Sequence, residues 1–184
     1  LSGLPEYETE RQLFLQRYSK AIFPLVSILI PTYNQPQYFK MALESALNQE
    51  YRNIEIIVGD DSTDERTKMI IQPYLRKYKN LKYYHHGAPL GDHGVKNWDF
   101  VLDKSSGEYI NYLLHDDLFH PEKINKMVDY FMLDENEEIT MVTSIRGCID
   151  QHGEFLGYAS PWIPYRNEIL TGMQVVRKIL FNLV

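Results

Sequence analysis

The sequence predicts an α/β fold with a mostly parallel central sheet flanked by helices. Short apolar runs of strand length alternate with amphipathic helical segments along the 184 residues, which is the pattern of repeated βαβ units. The first two runs, Val26–Ile30 and Ile54–Val58, are apolar apart from Ser27 and Glu55, which is typical of strands buried on both faces. Polar, Asp-rich residues directly follow several of the runs. Since ligands of such sheets bind beyond the carboxyl ends of the strands, these residues are candidates for a functional site.

Two parts of unequal length are predicted along the chain. Residues 6–20 carry apolar side chains at helical spacing, so residues 1–23 form a predicted N-terminal helical extension. The dipeptide Phe23-Pro24 ends that helix, because the residue before a proline disfavours helical backbone. The remaining residues, 24–184, form the predicted ligand-binding domain.

Each predicted element of the domain depends on a local pattern. Val26–Ile30 is a run of strand length that is apolar apart from Ser27, and Asn34 followed by Gln37 has the spacing of a helix cap. Ser62 and Glu65 repeat that spacing before a later helix. The other elements, in chain order, are the strand Ile54–Val58, a helix carrying Ile70 to Tyr78, the strand Leu81–Tyr84, a helix from Val95 to Leu102, the strand Tyr109–Leu114, a helix opening at His120-Pro121, the strand Ile139–Ile145, a hairpin from Cys148 to Leu156, and a final helix Thr171–Val184.

The composition narrows the class of protein. A hydrophobic fraction of 44% and an aromatic fraction of 13% exclude general disorder. With 25 acidic and 19 basic side chains and a net charge of −6, we expect no nucleic-acid partner that binds through a large basic surface. The single cysteine, Cys148, excludes an internal disulfide and favours a reducing, cytoplasmic location. No stretch approaches the roughly 20 apolar residues of a membrane-spanning helix, so a position at the inner face of a membrane would depend on other parts of the protein.

The sharpest polar cluster is Asp116-Asp117, directly after the strand Tyr109–Leu114. Two adjacent carboxylates repel each other unless a cation or hydrogen-bond donors offset their charge. Mg²⁺ and Mn²⁺ prefer carboxylate oxygens and often bridge to substrate phosphates, so the pair is a candidate metal site. The alternative is that Asp117 caps the helix starting near Pro121 while Asp116 is solvated, and position alone leaves both interpretations open.

A second acidic pair, Asp60-Asp61, follows the strand Ile54–Val58. Its functional interpretation is that one carboxylate accepts a hydrogen bond from a nucleobase N–H. The alternative is helix capping, because Ser62 and Glu65 already supply a capping box. Two such pairs at one sheet edge favour the functional interpretation more than either pair does alone.

Weaker signals and absent motifs limit the alternatives. Lys96, at the start of a helix, either reaches a phosphate as a point charge or is a solvated surface residue. His85 and His86 are neighbours in a strand and point to opposite faces, so no two-His metal site is expected. The sequence contains no G-x-x-x-x-G-K-[ST], G-x-G-x-x-G or G-x-S-x-G motif, and a nucleotidyltransferase is disfavoured because Pro31-Thr32-Tyr33-Asn34 stands where a Gly-rich basic loop is needed.

Three runs taken together resemble a known family. The chain reads V-S-I-L-I-P-T-Y-N at 26–34, I-E-I-I-V-G-D-D-S-T-D at 54–64 and G-E-Y-I-N-Y-L-L-H-D-D at 107–117, followed by P-E-K-I. In order, spacing and position on the sheet, these runs resemble the inverting glycosyltransferases of family 2, which have the GT-A fold, and in particular the bacterial members. The resemblance covers about residues 24–145.

The resemblance implies a role for each matching residue. The nucleotide-pocket residues that it implies are Pro31, Thr32, Tyr33 and Asn34. Asp60 would accept from a base expected to be uracil, and Lys96 would approach the nucleotide. Asp116 would lie near the ribose and metal, and Asp117 would bind the Mn²⁺ or Mg²⁺ that holds the diphosphate. The sequence departs from the family at Gly59, where Asp is common, and at Asp61, where Gly is common. This departure affects the base contact rather than the fold.

By this resemblance the chain is expected to be a metal-dependent glycosyltransferase of the hexosyl type. It would transfer a sugar with inversion from a nucleotide-diphospho-sugar, expected to be a UDP-sugar, to a glycan or glycoprotein acceptor, as in bacterial polysaccharide biosynthesis. The alternative is a non-catalytic nucleotide-sugar-binding module of a larger protein.

One required group is not found in the sequence. An inverting transfer needs a general base that deprotonates the acceptor hydroxyl, and the family supplies it as an Asp or Glu downstream of the metal motif. Neither Glu154 nor Glu168 stands in a matching context, so we expect the base beyond Val184, an incomplete acceptor half and a GT-A domain truncated at its C-terminus. The apolar face of the final helix consists of Met173, Val176, Ile179 and Leu180. Because this face is expected to be exposed, we expect weak self-association of the chain.

Overall fold

A computed structural model describes residues 23–134, 136, 138–159, 169–172 and 174. The chain divides into two compact units, residues 1–135 and 136–184. The first contains the α/β sheet that the sequence predicts, and the second contains a two-stranded hairpin. The predicted N-terminal helix, the apolar face of the predicted final helix and Glu168 lie outside the described residues.

A four-stranded parallel sheet forms the centre of the first unit. Its strands are β1 (Val26–Thr32), β2 (Ile54–Asp60), β3 (Leu81–His85) and β4 (Tyr109–Tyr112), in the order β3-β2-β1-β4. Every residue of β1 and β2 is buried, as their largely apolar runs predict. β1 and β2 end at the same level, because their last residues, Thr32 and Asp60, are paired in the register.

Helices cover both faces of this sheet. They are α1 (Pro36–Leu47), α2 (Arg66–Lys77), α3 (Val95–Asp103) and α4 (Lys123–Met132), and a single 3₁₀ turn, Asp92–Gly94, precedes α3. One face of the sheet packs with the apolar sides of α1, α2 and α4 into a large core. Leu29 and Ile57 on the opposite face pack against Val101 of α3, since neighbouring strand residues point to opposite faces. Among the described residues no helix combines the length and apolar character that crossing a membrane requires.

A buried carboxylate holds the amino ends of the strands together. Glu55 on β2 accepts hydrogen bonds from Ser27 Oγ at 2.7 Å, from the Ser106 amide at 2.6 Å and from Lys82 Nζ at 2.8 Å. Burial raises the pKa of Glu55, but the hydrogen bonds from Lys82, Ser27 and Ser106 outweigh it and lower the pKa to about 2. Glu55 thus joins three strands and the segment that leads into β4.

Three helix starts differ from the prediction. Asn34 does not cap α1, which begins at Pro36 without a side-chain cap, and Asn34 itself has a left-handed backbone with φ of 50°. The predicted capping box before α2 is also wrong, since that helix begins at Arg66 without a side-chain cap. Ser62 is instead buried and bonded to the preceding loop, so it is not free to cap. The last helix of this unit begins at Lys123, not at His120-Pro121.

The predicted strand Ile139–Ile145 is wrong, whereas the predicted hairpin is confirmed with shifted ends. The second unit pairs β5 (Arg146–Ile149) with β6 (Phe155–Ala159) in antiparallel fashion, and residues 139–145 precede β5 without strand pairing. High β-propensity forms a strand only where a partner strand and a packing surface are available. Met141, at the middle of the segment, is exposed.

Candidate functional site

The three polar clusters follow parallel strands of one sheet and therefore lie at its carboxyl edge. β1 leads into Tyr33-Asn34, β2 ends at Asp60 and leads into Asp61, and the segment after β4 leads into Asp116-Asp117. The first two clusters are joined directly, because the Asp61 amide donates to the Thr32 carbonyl at 3.0 Å. This placement is the one that the alternation of strands and helices predicts.

The loop after β1 is held to the loop after β2 by two further hydrogen bonds. The Asn34 amide donates to Ser62 Oγ at 2.9 Å, and the Thr63 amide donates to Asn34 Oδ1 at 3.2 Å. Tyr33, the residue before Asn34 in this loop, is 46% exposed. Pro31 and Thr32 are buried strand residues rather than loop residues. The Thr32 hydroxyl is a buried polar group without a partner among the described residues.

Asp60 is fully buried, and both of its carboxylate oxygens contact protein groups. Oδ1 accepts from the Ser62 amide at 2.9 Å, and Oδ2 accepts from the Tyr83 hydroxyl at 2.6 Å. Burial and this bond to Asp60 raise the pKa of Tyr83 far above its usual value. His85 Nδ1 lies 3.3 Å from Oδ2 without forming a hydrogen bond. The implied contact between Asp60 and a base stays a prediction, and in this structure such a contact would replace one of these partners.

Asp61 is also buried but has a different set of partners. Its Oδ1 lies 2.9 Å from His86 Nδ1, and its Oδ2 accepts from the Leu90 amide at 3.2 Å. Sequence reasoning missed the partnership of Asp61 with His86. The available signal was the alternation of strand side chains, which sends His85 towards Asp60 and His86 towards Asp61. The two imidazoles thus contact different carboxylates.

The start of α3 contacts the same corner through Asn97. Asn97 is buried, and its Nδ2 donates to the Gly59 carbonyl at 2.9 Å. Lys96, the preceding residue, is exposed. The exposed ammonium of Lys96 thus adjoins the buried side-chain amide of Asn97, and this arrangement suits an anionic group that binds at this edge.

Asp116 and Asp117 are both exposed, in a turn closed by the bond from the Asp117 amide to the Leu114 carbonyl at 3.1 Å. Asp117 is not the cap of α4, which begins at Lys123. In the described part of the chain, no group of three or more His, Cys, Asp or Glu side chains is arranged to hold a metal ion. Two adjacent carboxylates still fit Mg²⁺ or Mn²⁺, which often take one or two protein carboxylates and complete their shell with water and substrate phosphates.

Similar proteins identify the family. The family model described as "Glycosyl transferase family 2" matches residues 27–176. An uncharacterized glycosyltransferase of Rickettsia typhi is 35% identical over 150 residues, which are 80% of this chain and 44% of that protein. A GalNAc(5)-diNAcBac-PP-undecaprenol beta-1,3-glucosyltransferase of Campylobacter jejuni is 34% identical over 95 residues, which are 51% of this chain and 30% of that protein. The chain thus spans less than half the length of these relatives.

Solved structures show the same fold. S. aureus TarS 1-349 has a TM-score of 0.52 and 29% identity, over 58% of this chain and 32% of that one. The same protein in complex with UDP-GlcNAc has a TM-score of 0.50 and 27% identity, over 58% of this chain and 30% of that one. A mannosyltransferase of Pyrobaculum calidifontis, in complex with GDP-Man and Mn²⁺, has a TM-score of 0.52 at 19% identity, over 67% of this chain and 39% of that one. That last likeness concerns the fold alone.

Three findings point to the same family and fold. They are the parallel sheet with acidic pairs at its carboxyl edge, the family match over most of the chain and the structural neighbours. The chain belongs to glycosyl transferase family 2 and has the GT-A fold.

Proposed function

We propose that this chain binds the nucleotide part of a UDP-sugar and that the protein transfers the sugar, with inversion, in a metal-dependent reaction. The observation that carries this proposal is that two acidic pairs, Asp60-Asp61 and Asp116-Asp117, follow strands at the carboxyl edge of one parallel sheet. One pair is buried among donors and suits a base, and the other is exposed and suits a cation with its phosphates. The likeness to TarS in complex with UDP-GlcNAc and with UDP supports the choice of nucleotide.

Base recognition belongs in this proposal to the corner formed by Asp60 and Asp61. Asp60 fixes the Ser62 amide and the Tyr83 hydroxyl around it, and a direct contact with the base would exchange one of these donors for the N3–H of uracil. The loop of Pro31, Thr32, Tyr33 and Asn34 borders the same corner, and the exposed ring of Tyr33 is available to stack on the base or the ribose.

In this proposal the diphosphate binds near the exposed pair, Asp116-Asp117, and near Lys96. Asp117, with Asp116 beside it, would hold Mn²⁺ or Mg²⁺, and the ion would neutralise the charge that develops on the departing diphosphate. Lys96 would add a second positive charge from the start of α3. Asp116 would also accept from a ribose hydroxyl.

The proposed transfer is a single displacement at the anomeric carbon. The acceptor oxygen forms a bond to that carbon as the bond to the UDP oxygen breaks, and a general base takes the acceptor proton. A hexose as the transferred sugar, a glycan or glycoprotein acceptor, a role in polysaccharide biosynthesis and a cytoplasmic location complete the proposal. The Campylobacter relative is named as a GalNAc(5)-diNAcBac-PP-undecaprenol beta-1,3-glucosyltransferase, which supports a hexose as the sugar and a glycan as the acceptor.

Calorimetric titration with UDP and UDP-sugars, in Mn²⁺ and in chelator, tests the proposal. We expect UDP to bind, and to bind more tightly with Mn²⁺, because the cation removes the repulsion between the diphosphate and the exposed carboxylates. Equal affinity with metal and with chelator would contradict the metal assignment, and absence of UDP binding would contradict the proposal as a whole. Binding without transfer by the protein that contains this chain would favour the alternative of a non-catalytic module.

A further inference from the structure

The segment between Asp117 and α4 is fastened to the end of α1. Residues 118–122 are irregular, and Asp117 before them is exposed. The Phe119 amide donates to Ser45 Oγ at 3.1 Å, and the side chain of Phe119 packs against the large core. These contacts fix the path of the chain directly after the exposed carboxylate pair, although the segment itself is irregular.

Gln49, which follows the end of α1, provides the central attachment of this segment. Gln49 is buried, with 5% of its surface exposed. Its Nε2 donates to the Ser45 carbonyl at 3.1 Å and to the His120 carbonyl at 2.9 Å. Its Oε1 accepts from the Ile124 amide at 3.1 Å. A side-chain amide supplies two N–H donors and an acceptor at once, so one buried group joins α1, the segment after Asp117 and the first turn of α4.

We infer that Gln49 is a positioning residue of the metal site, because it fixes the segment after Asp117 and thereby holds Asp116-Asp117 in place before a cation binds. This inference rests on the proposed binding of Mn²⁺ or Mg²⁺ at that pair. The other side of the turn is also fixed, since the Leu113 amide donates to the Leu29 carbonyl at 2.9 Å. Ordering a loose turn on binding costs conformational entropy, and a turn held on both sides avoids much of that cost. Gln49 therefore strengthens cation binding although it acts through the backbone.

Calorimetric titration with UDP, in Mn²⁺ and in chelator, tests the inference on Gln49→Met, which keeps the length of the side chain and removes its amide. We expect the ratio of the two affinities to fall about tenfold, the lower end of the range for groups that orient metal ligands. Tyr51→Phe is the matched control. The Tyr51 hydroxyl donates to the Pro24 carbonyl at 2.7 Å, so its loss also removes a buried hydrogen bond, but at the amino edge of the sheet. Tyr51→Phe should lower the free energy of unfolding and leave the ratio unchanged.

Residue-resolved amide hydrogen exchange provides a second readout. The Ile124 amide lies in the first turn of α4, where N–H groups have no acceptor within the helix, so its protection reports the bond to Gln49. We expect this amide to be protected in the free, unaltered chain and to exchange at least about tenfold faster in Gln49→Met. The Leu113 amide is the internal control and should stay protected in both.

These measurements separate the inference from the proposed function. If UDP keeps its full metal dependence in Gln49→Met, or loses as much of it in Tyr51→Phe, the inference is overturned and the proposed function stands. Protection of the Ile124 amide that appears only when Mn²⁺ and UDP are bound would overturn the inference in the same way. This result on the unaltered chain decides the matter even if Gln49→Met does not fold. An unaltered chain that binds UDP equally with metal and with chelator would overturn both the inference and the proposed metal site.

Discussion

Gly59 and Asn97 are packed against each other so closely that a side chain at position 59 would collide with Asn97 Oδ1, and would lie 2.7 Å from Val101 Cγ1. The carbonyl of the same glycine accepts the hydrogen bond from Asn97 Nδ2. A carboxylate at position 59 would have no space below α3. The acidic pair is accordingly carried by the next two positions, Asp60 and Asp61.

Gly59→Ala is expected to lower the free energy of unfolding by roughly 1–3 kcal/mol, the usual range for an overpacked core position. Denaturant titration measures it, and Gly172→Ala is the matched control because no atom of a described residue lies within 4 Å of an added Cβ there. Adding Asn97→Ala removes one of the colliding groups, so the double variant should lose less stability than the two single losses added together. Additive losses would show that the collision is relieved in another way.

Asp117→Asn is expected to remove most of the metal dependence of UDP binding while the fold stays intact. The substitution deletes one negative charge and one strong cation ligand at an exposed position. Calorimetry in Mn²⁺ and in chelator measures the ratio of affinities, and circular dichroism checks the fold. Asp103→Asn, at an exposed position at the end of α3, is the matched control and should leave the ratio unchanged. A full metal effect in Asp117→Asn would place the cation elsewhere.

UDP is expected to outcompete ADP and GDP in equilibrium binding. Adenine has no ring N–H at the matching position, and a site that forms a hydrogen bond rejects a ligand that leaves its polar group unpaired. Asp60→Ala should narrow the gap, because it removes the carboxylate that would accept from the base and releases Ser62 and Tyr83. Tyr83→Phe keeps both carboxylates and should preserve the preference. If GDP binds as well as UDP to the unaltered chain, the assignment of the corner to uracil fails.

Glu55 is expected to make the stability of the fold acid-sensitive in a defined range. The pKa of Glu55 is about 2 in the folded chain against 4.5 for the ordinary group. A lowered folded pKa stabilises the fold fully above about pH 4.5, and this contribution is lost as the pH falls towards 2. Thermal unfolding followed from pH 6 to pH 2.5 measures it. Glu55→Gln should be less stable at pH 6 and should show a flatter decline, whereas the exposed Glu154→Gln should resemble the unaltered chain.

The order of strands and helices in the first unit was predictable because each depends on a local period. The runs around Ile28 and Ile56 are too short and too apolar for surface helices, and a buried parallel sheet is the arrangement that accepts them. The resemblance to glycosyltransferases, drawn from three runs of residues, was confirmed by the family match. The helix starts were not predictable in the same way. Ser62 has the spacing of a cap, but a buried hydroxyl bonded to the Asn34 amide cannot also cap α2.

Partners within the site depend on three-dimensional contacts that spacing does not encode. Asp60 and Asp61 are neighbours in sequence, yet one is bonded to Tyr83 and the other to His86 and Leu90. The strand predicted at Ile139–Ile145 failed for a related reason, because β-propensity in a segment says nothing about whether a partner strand is available. The collision that requires glycine at position 59 likewise becomes visible only when α3 is in place.

The strand order β3-β2-β1-β4 has a consequence for how the chain folds. β1, β2 and β3 join neighbours along the chain, whereas β4 must return past them to pair Tyr109 with Val26. Closing so long a loop costs more entropy and slows pairing, so we expect β4 to dock last. Pulsed hydrogen exchange during refolding would then protect the Ile56 amide before the Leu113 amide, and simultaneous protection would exclude this order. The corner formed by Asp60 and Asp61 would be complete on the folding pathway before Asp116 and Asp117 take their places at the same sheet edge.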